Sequence, residues 1–478
     1  MRRFHITIFT IIFCCLFWCS WDLSAADLGS VKIADKLQKV LNIPANAKVG
    51  VAVFDLNNGE GVYEFNSVKP LKPASVLKIL TSNVALSQLS TAYKFSTEVW
   101  AENLNKDGFV NVLYVKGGGD PSFTTEDMWM LARKIKLHGI KKISALRLDD
   151  SYFSNAYRRQ GQSAYQAGAS ALSLNFNSIS FRVCPNRPGQ KALITVDPWE
   201  YGVQTLGAID TISRGAGQFG IDEVARIDNK HTGKMLYRLR GTFGAKRQCE
   251  YIYRTVDEPV YYFGVVLRKF LKLLGVWVDD DIRRGAVSAR AKLLFSSHSK
   301  PLGQIVRDLN IYSNNFIAEQ LLTVLGCSVA SKKYDKKRCD KQRGIRKAEE
   351  YLRRLGYAKP EFEVVDGSGL DHTNRMSARI LLHLLVEALK VEEYRPEFES
   401  SLPIAGISGT LKKRNFGSAP VLVRAKTGTL NGVSSLAGYL TSKRGNKFAF
   451  VVVQNNVRSK RDADKLENKL IKFLYNHD

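Results

Sequence analysis

Leu71-Lys72-Pro73-Ala74-Ser75-Val76-Leu77-Lys78-Ile79-Leu80 is the stretch on which the reading of this chain turns. Its apolar periodicity continues to about Leu89 and predicts a helix that begins at Ser75. On such a helix Lys78 lies one turn from Ser75, on the same face. A serine hydroxyl is a poor nucleophile at neutral pH and needs a neighbouring base. The helix N-terminus also favours the negative charge that develops on the serine oxygen. Lys78 can be that base only where burial and a second cation lower its pKa. S-x-x-K by itself arises by chance about once or twice in a chain of this size, so the rest of the sequence must decide.

Two more short motifs follow in order. Ser313-Asn314-Asn315 (S-x-N) falls at a loop-to-helix junction, and Lys426-Thr427-Gly428-Thr429 (K-T-G-T) precedes the apolar stretch Val433 to Leu440. Ser313 can relay a proton to a leaving amine, and the side-chain amide of Asn315 can hold a peptide bond. Lys426 supplies the second cation. With Gly428 in the strand between them, the hydroxyls of Thr427 and Thr429 join Lys426 to suit a terminal carboxylate. Backbone amides of Ser75 and Thr429 can form an oxyanion hole. No G-x-S-x-G elbow is present and the histidines are scattered, which argues against a Ser-His-Asp hydrolase. Without H-E-x-x-H or paired C-x-x-C there is no case for a metal hydrolase, and no metal or cofactor is expected.

Working outward, Arg2 and Arg3 precede a nearly unbroken apolar run, Ile6 to Cys19, and Leu23-Ser24-Ala25-Ala26 follows. This pattern predicts an export signal over residues 1–26, cut after Ala25 or Ala26. The run is shorter than the roughly 20 residues that a span requires. The expected location is the periplasm or cell envelope. Cys14, Cys15 and Cys19 leave with the signal. The remaining Cys184, Cys249, Cys327 and Cys339 allow three pairings in an oxidising compartment, with sequence proximity favouring 184 with 249 and 327 with 339. The chain of 478 residues carries 71 Lys plus Arg against 45 Asp plus Glu, a formal net charge of +26. Such a surface attracts polyanions. Export removes nucleic acid from the candidates and leaves anionic envelope polymers, toward which the basic run Lys332 to Lys347 is one candidate contact.

Val49 to Asp55 and Gly61 to Phe65 read as a hairpin around Asn57-Asn58-Gly59. From Phe95 to Asn310 the pattern changes to short strands and turns, with one helix over about Val260 to Leu274. Helices return at Asn315 to Leu325, Ile345 to Leu355, Ser377 to Leu389 and Asp462 to Tyr475, and Lys447 to Val453 is a strong strand. Gly215-Ala216-Gly217-Gln218-Phe219-Gly220 matches a dinucleotide fingerprint, but no clear strand leads into it and no helix pattern follows. It is read as a glycine loop.

Taken in order, the three motifs resemble those of β-lactamases and penicillin-binding proteins. Ser313 lies too far beyond Lys78 for a compact class A β-lactamase. The chain instead resembles low-molecular-mass class C penicillin-binding proteins of the D-alanyl-D-alanine carboxypeptidase and endopeptidase group. Gly117-Gly118-Gly119-Asp120-Pro121-Ser122, Ala171-Leu172-Ser173-Leu174-Asn175, Asp366-Gly367-Ser368-Gly369-Leu370 and Leu402-Pro403-Ile404-Ala405-Gly406 extend the likeness over nearly all of the mature chain. The resemblance implies a multi-domain α/β fold. A β-lactamase/transpeptidase-like catalytic domain, an antiparallel sheet flanked by helices, occupies 27–92 and 290–478. It is interrupted by an inserted domain (93–165 and 260–289) that carries a second, nested β-rich domain (166–259).

The same resemblance implies acylation of Ser75 by peptidoglycan stem peptides ending in D-Ala-D-Ala, or by D-Ala to diamino-acid crosslinks, followed by hydrolysis. β-Lactams would acylate the same serine. The catalytic set is Ser75, Lys78, Ser313, Asn315 and Lys426, with Thr427, Gly428 and Thr429 on the substrate. Where the family often has S-R after G-S-G-L, this chain has Asp371-His372, so an arginine is absent and His372 is a candidate substrate contact. Asn314 replaces the usual Asp of S-D-N. Two other readings fit the same surface: a catalytically silent wall-binding protein, and a β-lactamase or esterase on the same scaffold.

Overall fold

The computed structural model describes residues 28–154, 161–198, 203–226, 235–327, 339–414, 416 and 422–476. The expected signal segment 1–26 and residues 332–338 of the basic run lie outside them. The chain starts with helix α1 (Leu28–Leu41), the hairpin β1 (Val49–Asp55) and β2 (Glu60–Phe65), a 3-10 turn at Ala74–Leu77, and helix α2 (Lys78–Leu89). An inserted region follows: β3 (Ser96–Leu104), β4 (Phe109–Lys116), α3 (Thr125–Leu137) and β5 (Lys142–Asp149). Within it come β6 (Ser178–Cys184), β7 (Leu193–Asp197), β8 (Val203–Gly207), β9 (Asp210–Ile212), β10 (Phe219–Arg226), β11 (Met235–Gly244) and β12 (Glu250–Thr255). α4 (Pro259–Leu273), β13 (Trp277–Arg284) and β14 (Lys292–His298) close the insertion. Helices α5 (Leu302–Ile311), α6 (Asn315–Leu325) and α7 (Lys341–Arg354) then lead to the short pair β15 (Phe362–Glu363) and β16 (Arg375–Met376). The chain ends with α8 (Ala378–Lys390), α9 (Arg395–Ser401), β17 (Val423–Leu430), β18 (Val433–Thr441), β19 (Lys447–Asn455) and α10 (Lys460–Asn476).

Strands from the two ends of the chain form one antiparallel sheet in the order β17-β18-β19-β1-β2. Val51 pairs with Val452 across β1 and β19, so the sheet closes only when residues some four hundred positions apart meet. Alternation explains why β19 is apolar from Phe448 to Val453. Phe448, Phe450 and Val452 belong to the core shared with α1 and α10, while Ala449, Val451 and Val453 belong to the core shared with α2, α6 and α8. A strand covered on both faces has no polar side to present.

Among its described residues the insertion is β-rich as expected, with one helix, α3, beyond the one the pattern predicts. Its sheet, β13-β5-β4-β3-β14, is partly parallel, with β13 to β5 and β5 to β4 parallel. Two helices, α3 and α4, share its core. α3 was absent from the sequence reading, although its signals are present: the Thr124 amide donates to Asp127 Oδ2 at 2.9 Å, and Met128, Leu131, Ala132 and Ile135 form its buried stripe. β14 pairs with β3, so the inserted sheet reaches past residue 289, where the catalytic domain was expected to resume. The nested region holds two small sheets, one built on β10-β11-β8 and one ordered β12-β6-β7. Gly215 to Gly220 runs from β9 directly into strand β10, so the G-x-G-x-x-G stretch meets no helix N-terminus. Disulfides join Cys184 to Cys249 and Cys327 to Cys339, the pairing that sequence proximity favours.

Candidate active site

Ser75 sits in the 3-10 turn Ala74–Leu77, which runs into α2. The helix expected from Ser75 thus begins at Lys78, after a tighter turn. Ala74 adopts φ +52°, a left-handed conformation that non-glycine residues rarely take and that clusters at functional sites. Gly369 makes room for it, since a Cβ at Gly369 would lie 1.9 Å from the Ala74 carbonyl oxygen. Lys78 is fully buried beneath Ser75. Its Nζ lies 2.8 Å from Ser75 Oγ, 2.7 Å from Asn315 Oδ1 and 2.6 Å from the Ser368 carbonyl oxygen.

Asn315 reaches this point because α6 starts there. Asn314 caps that helix, its Oδ1 accepting from the Ile317 amide at 3.1 Å. Asparagine and aspartate cap helices about equally well, which accounts for Asn314 where Asp is usual. Ser313 has φ +54°, and this aims its hydroxyl toward β17, where Lys426 Nζ donates to Ser313 Oγ at 2.8 Å. Lys426 also donates to the Thr427 carbonyl at 2.8 Å. Ser75, Lys78, Ser313, Asn315 and Lys426 therefore come together from three separate stretches of the sequence, Lys78 bonded to Ser75 and Asn315 and Lys426 to Ser313.

β17 passes close beside the serine. A Cβ at Gly428 would lie 2.9 Å from the Ser75 amide nitrogen and 2.2 Å from Ser435 Oγ, so the close approach requires glycine. Thr427 and Thr429 flank it, and Thr427 Oγ1 donates to Thr410 Oγ1 at 2.8 Å. His372 lies exposed on the loop after Leu370. Its carbonyl accepts from Arg375 Nη1 at 2.7 Å, and its ring has no hydrogen bond to the cluster. Ser313 and Asn315 also line one end of a cavity of about 690 Å³ that extends to Asp197 and Tyr253 of the nested region.

Burial lowers the pKa of Lys78 to about 7, against the opposing pull of Asp366 and Glu319. Burial also holds Lys426 well below its ordinary value, and the charge of Lys78 adds to that effect. Desolvation is the first cause at both lysines, and the like charges of the buried pair repel each other.

Sequence reasoning missed the support under Lys78. Glu319 lies one turn beyond Asn315 on α6, so helical spacing brings it to the same face. Its Oε1 accepts from the amides of Gly367 and Ser368 at 3.1 and 3.0 Å, and its Oε2 pairs with Lys341 Nζ at 2.9 Å. Asp366 accepts from the amides of Gly369 and Asp371, both at 2.7 Å. Together they hold the loop so that the Ser368 carbonyl faces Lys78. The Glu319 charge raises the pKa of Lys78, so Glu319→Gln should lower it. The pH below which a β-lactam ceases to acylate Ser75 should then shift downward relative to the wild type. A stopped-flow pH series on both proteins checks this, and coincident profiles would remove Glu319 from the electrostatics of the site.

The profile of the D-Ala-D-Ala carboxypeptidase 3 (S13) family matches residues 33–477. The D-alanyl-D-alanine carboxypeptidase of Actinomadura sp. (strain R39) is 30% identical over 461 residues, covering 91% of this chain and 82% of that one. The D-alanyl-D-alanine carboxypeptidase DacB of Haemophilus influenzae is 26% identical, covering 91% and 90%. The crystal structure of penicillin-binding protein 4 (DacB) from Haemophilus influenzae superposes with a TM-score of 0.75 at 24% identity, covering 93% of this chain and 99% of that one. The complex of the same protein with a β-lactam gives 0.72.

Proposed function

Given that the chain belongs to the D-Ala-D-Ala carboxypeptidase 3 (S13) family and is a serine-type D-Ala-D-Ala carboxypeptidase acting on peptidoglycan, we propose that Ser75 is its nucleophile and Lys78 the base. The observation that carries this assignment is the surroundings of Lys78 Nζ. A neutral amine has two hydrogens and one lone pair. The two fixed acceptors, Asn315 Oδ1 and the Ser368 carbonyl, take the hydrogens, so the lone pair faces the hydroxyl of Ser75. With its pKa lowered to about 7, Lys78 holds a substantial neutral fraction at neutral pH.

Acylation then proceeds as follows. The Ser75 proton passes to Lys78 while Oγ attacks the carbonyl of the penultimate D-Ala, and the developing oxyanion meets the Ser75 and Thr429 amides. Ser313, bridged to Lys426, gives its hydroxyl proton to the departing amine as the C–N bond breaks and takes up the proton that Lys78 received from Ser75, which leaves Lys78 neutral again. Lys426, Thr427 and Thr429 hold the terminal carboxylate. Water then attacks the ester by the same route, and Ser75 regains its proton. His372, exposed on its loop, is a candidate contact for the more distant parts of the stem. The same acyl-enzyme serves a D-Ala to diamino-acid crosslink, whose leaving group differs only in what is attached to the amine. β-Lactam binding, described for the Haemophilus influenzae protein, follows from the same serine.

The export pattern over residues 1–26 and the +26 charge support a cell-envelope location for this activity, with anionic polymers as candidate counterparts of the basic surface. Among the described residues no helix is long and apolar enough to cross a membrane. Digestion of purified sacculi, with separation of the products, tests the function. Loss of pentapeptide monomers with release of D-Ala is the expected result, and conversion of crosslinked dimers to monomers reports the endopeptidase share. Sacculi unchanged in both respects would leave only a wall-binding role.

A further inference from the structure

The sheet β12-β6-β7 buries one face and leaves the other open. Ile179, Phe181, Val183 and Val196 point into the core of the insertion. The opposite face is built in cross-strand rows set by the register. Tyr253 pairs with Ser180 and Ser180 with Asp197, and the next row is Tyr251, Arg182 and Thr195. Consecutive rows lie about 7 Å apart, two residues along a strand. Beyond them the disulfide Cys184–Cys249 ties the far end of β6 to the segment entering β12, which makes the platform rigid.

Two features separate this face from ordinary surface. Tyr251 and Tyr253 expose 55% and 51% of their area, and their rings lie nearly parallel, 17° apart, with centroids 6.5 Å apart. In addition, the first row lines the same cavity as Ser313 and Asn315. Ser180, Asp197 and Tyr253 line it together with Ser313, Asn315 and the exposed Tyr165. The open face and the catalytic cleft are therefore one continuous surface.

We infer that this face binds the glycan strand of the substrate, the N-acetylated amino-sugar polymer from which the stem peptide hangs. The inference rests on the peptidase reading above and names the part of the substrate that the catalytic residues do not touch. A stem of about four residues spans at most roughly 14 Å, so a stem held at Ser75 keeps its glycan within reach of the adjoining surface. Exposed tyrosine rings offer flat apolar faces with a polar edge, which suits the C–H faces and hydroxyls of a pyranose. Ser180, Thr195, Arg182 and Asp197 add donors and acceptors of no net charge, which fits an uncharged polar polymer better than a phosphate polymer. A peptide strand would add to a sheet edge, where backbone groups are free to pair, whereas these rows lie on a face.

The test uses the full mature protein and glycan strands stripped of their peptides by an amidase. The wild type should bind this peptide-free glycan. Tyr251→Ala should weaken the affinity about tenfold, the loss of one stacked ring, and Tyr251→Phe should retain it. Covalent uptake of fluorescent penicillin by each variant reports the catalytic domain separately. Intact labelling with no glycan binding by the wild type overturns the inference and leaves the peptidase reading standing. Equal affinity of wild type and Tyr251→Ala overturns it as well, as does competition by sugar-free crosslinked stem peptides, which would identify a peptide site.

Discussion

Ser75→Ala should take up no fluorescent penicillin, while the wild type forms a stable covalent adduct. The hydroxyl is the only nucleophilic atom that Lys78 Nζ meets at 2.8 Å, and the other two neighbours of that amine are carbonyl-type oxygens. Release of D-Ala should fall on the order of 10⁶-fold, as for loss of the nucleophile in other serine peptidases. Ser75 is half-buried and no described side chain leans on its hydroxyl except Lys78, so the fold should survive and the thermal transition should change little. Labelling of the variant at wild-type intensity would move the nucleophile elsewhere. Rapid turnover of the adduct in the wild type would instead favour a β-lactamase on this scaffold.

Lys78→Met should lower the rate of Ser75 acylation by about 10² to 10⁴, the range for removal of a general base. Methionine keeps the length of the stem but supplies neither lone pair nor charge. In the wild type the amine must be neutral to accept the serine proton, and its pKa lies near 7. Acylation should therefore fall about tenfold per unit as the pH drops below that value, and this acid limb should be missing from Lys78→Met. A wild-type rate that stays flat from pH 8 to pH 5, or a variant that keeps the limb, would show that another group is the base. The change also leaves Asn315 Oδ1 and the Ser368 carbonyl without a donor, at a cost of about 1 to 3 kcal/mol for each buried group. Thermal melting of the variant must be read beside its kinetics.

The parts of the site that were legible in the sequence were those whose chemistry depends on local spacing. Ser75 and Lys78 are one turn apart on any helical backbone, and Asn314 is a capping residue wherever α6 starts. The support beneath them was not legible. Glu319 carries no motif, and its importance comes from meeting the amides of Gly367 and Ser368, contacts that exist only after α6 packs on the loop after β15. Helix α3 had both a start signal and a periodic stripe, and the surrounding run of short strands masked it. The partner of edge strand β14 was illegible for another reason: its pairing with β3 is a tertiary contact with no periodic trace of its own.

The sequence by itself determined which groups are on offer: a serine with a lysine one turn away, an S-x-N hydroxyl and amide, and a K-T-G strand, in an order that carries the family. It also pointed to the cysteine pairs. Only the tertiary structure decided that Lys78 and Lys426 are both buried and both lowered in pKa, because desolvation depends on what closes over a side chain. It alone decided that Ser313 serves Lys426 through a left-handed backbone, and that the nested sheet opens onto the catalytic cleft. Motifs encode which groups are available. Burial, register and the meeting of distant strands set their protonation and their reach.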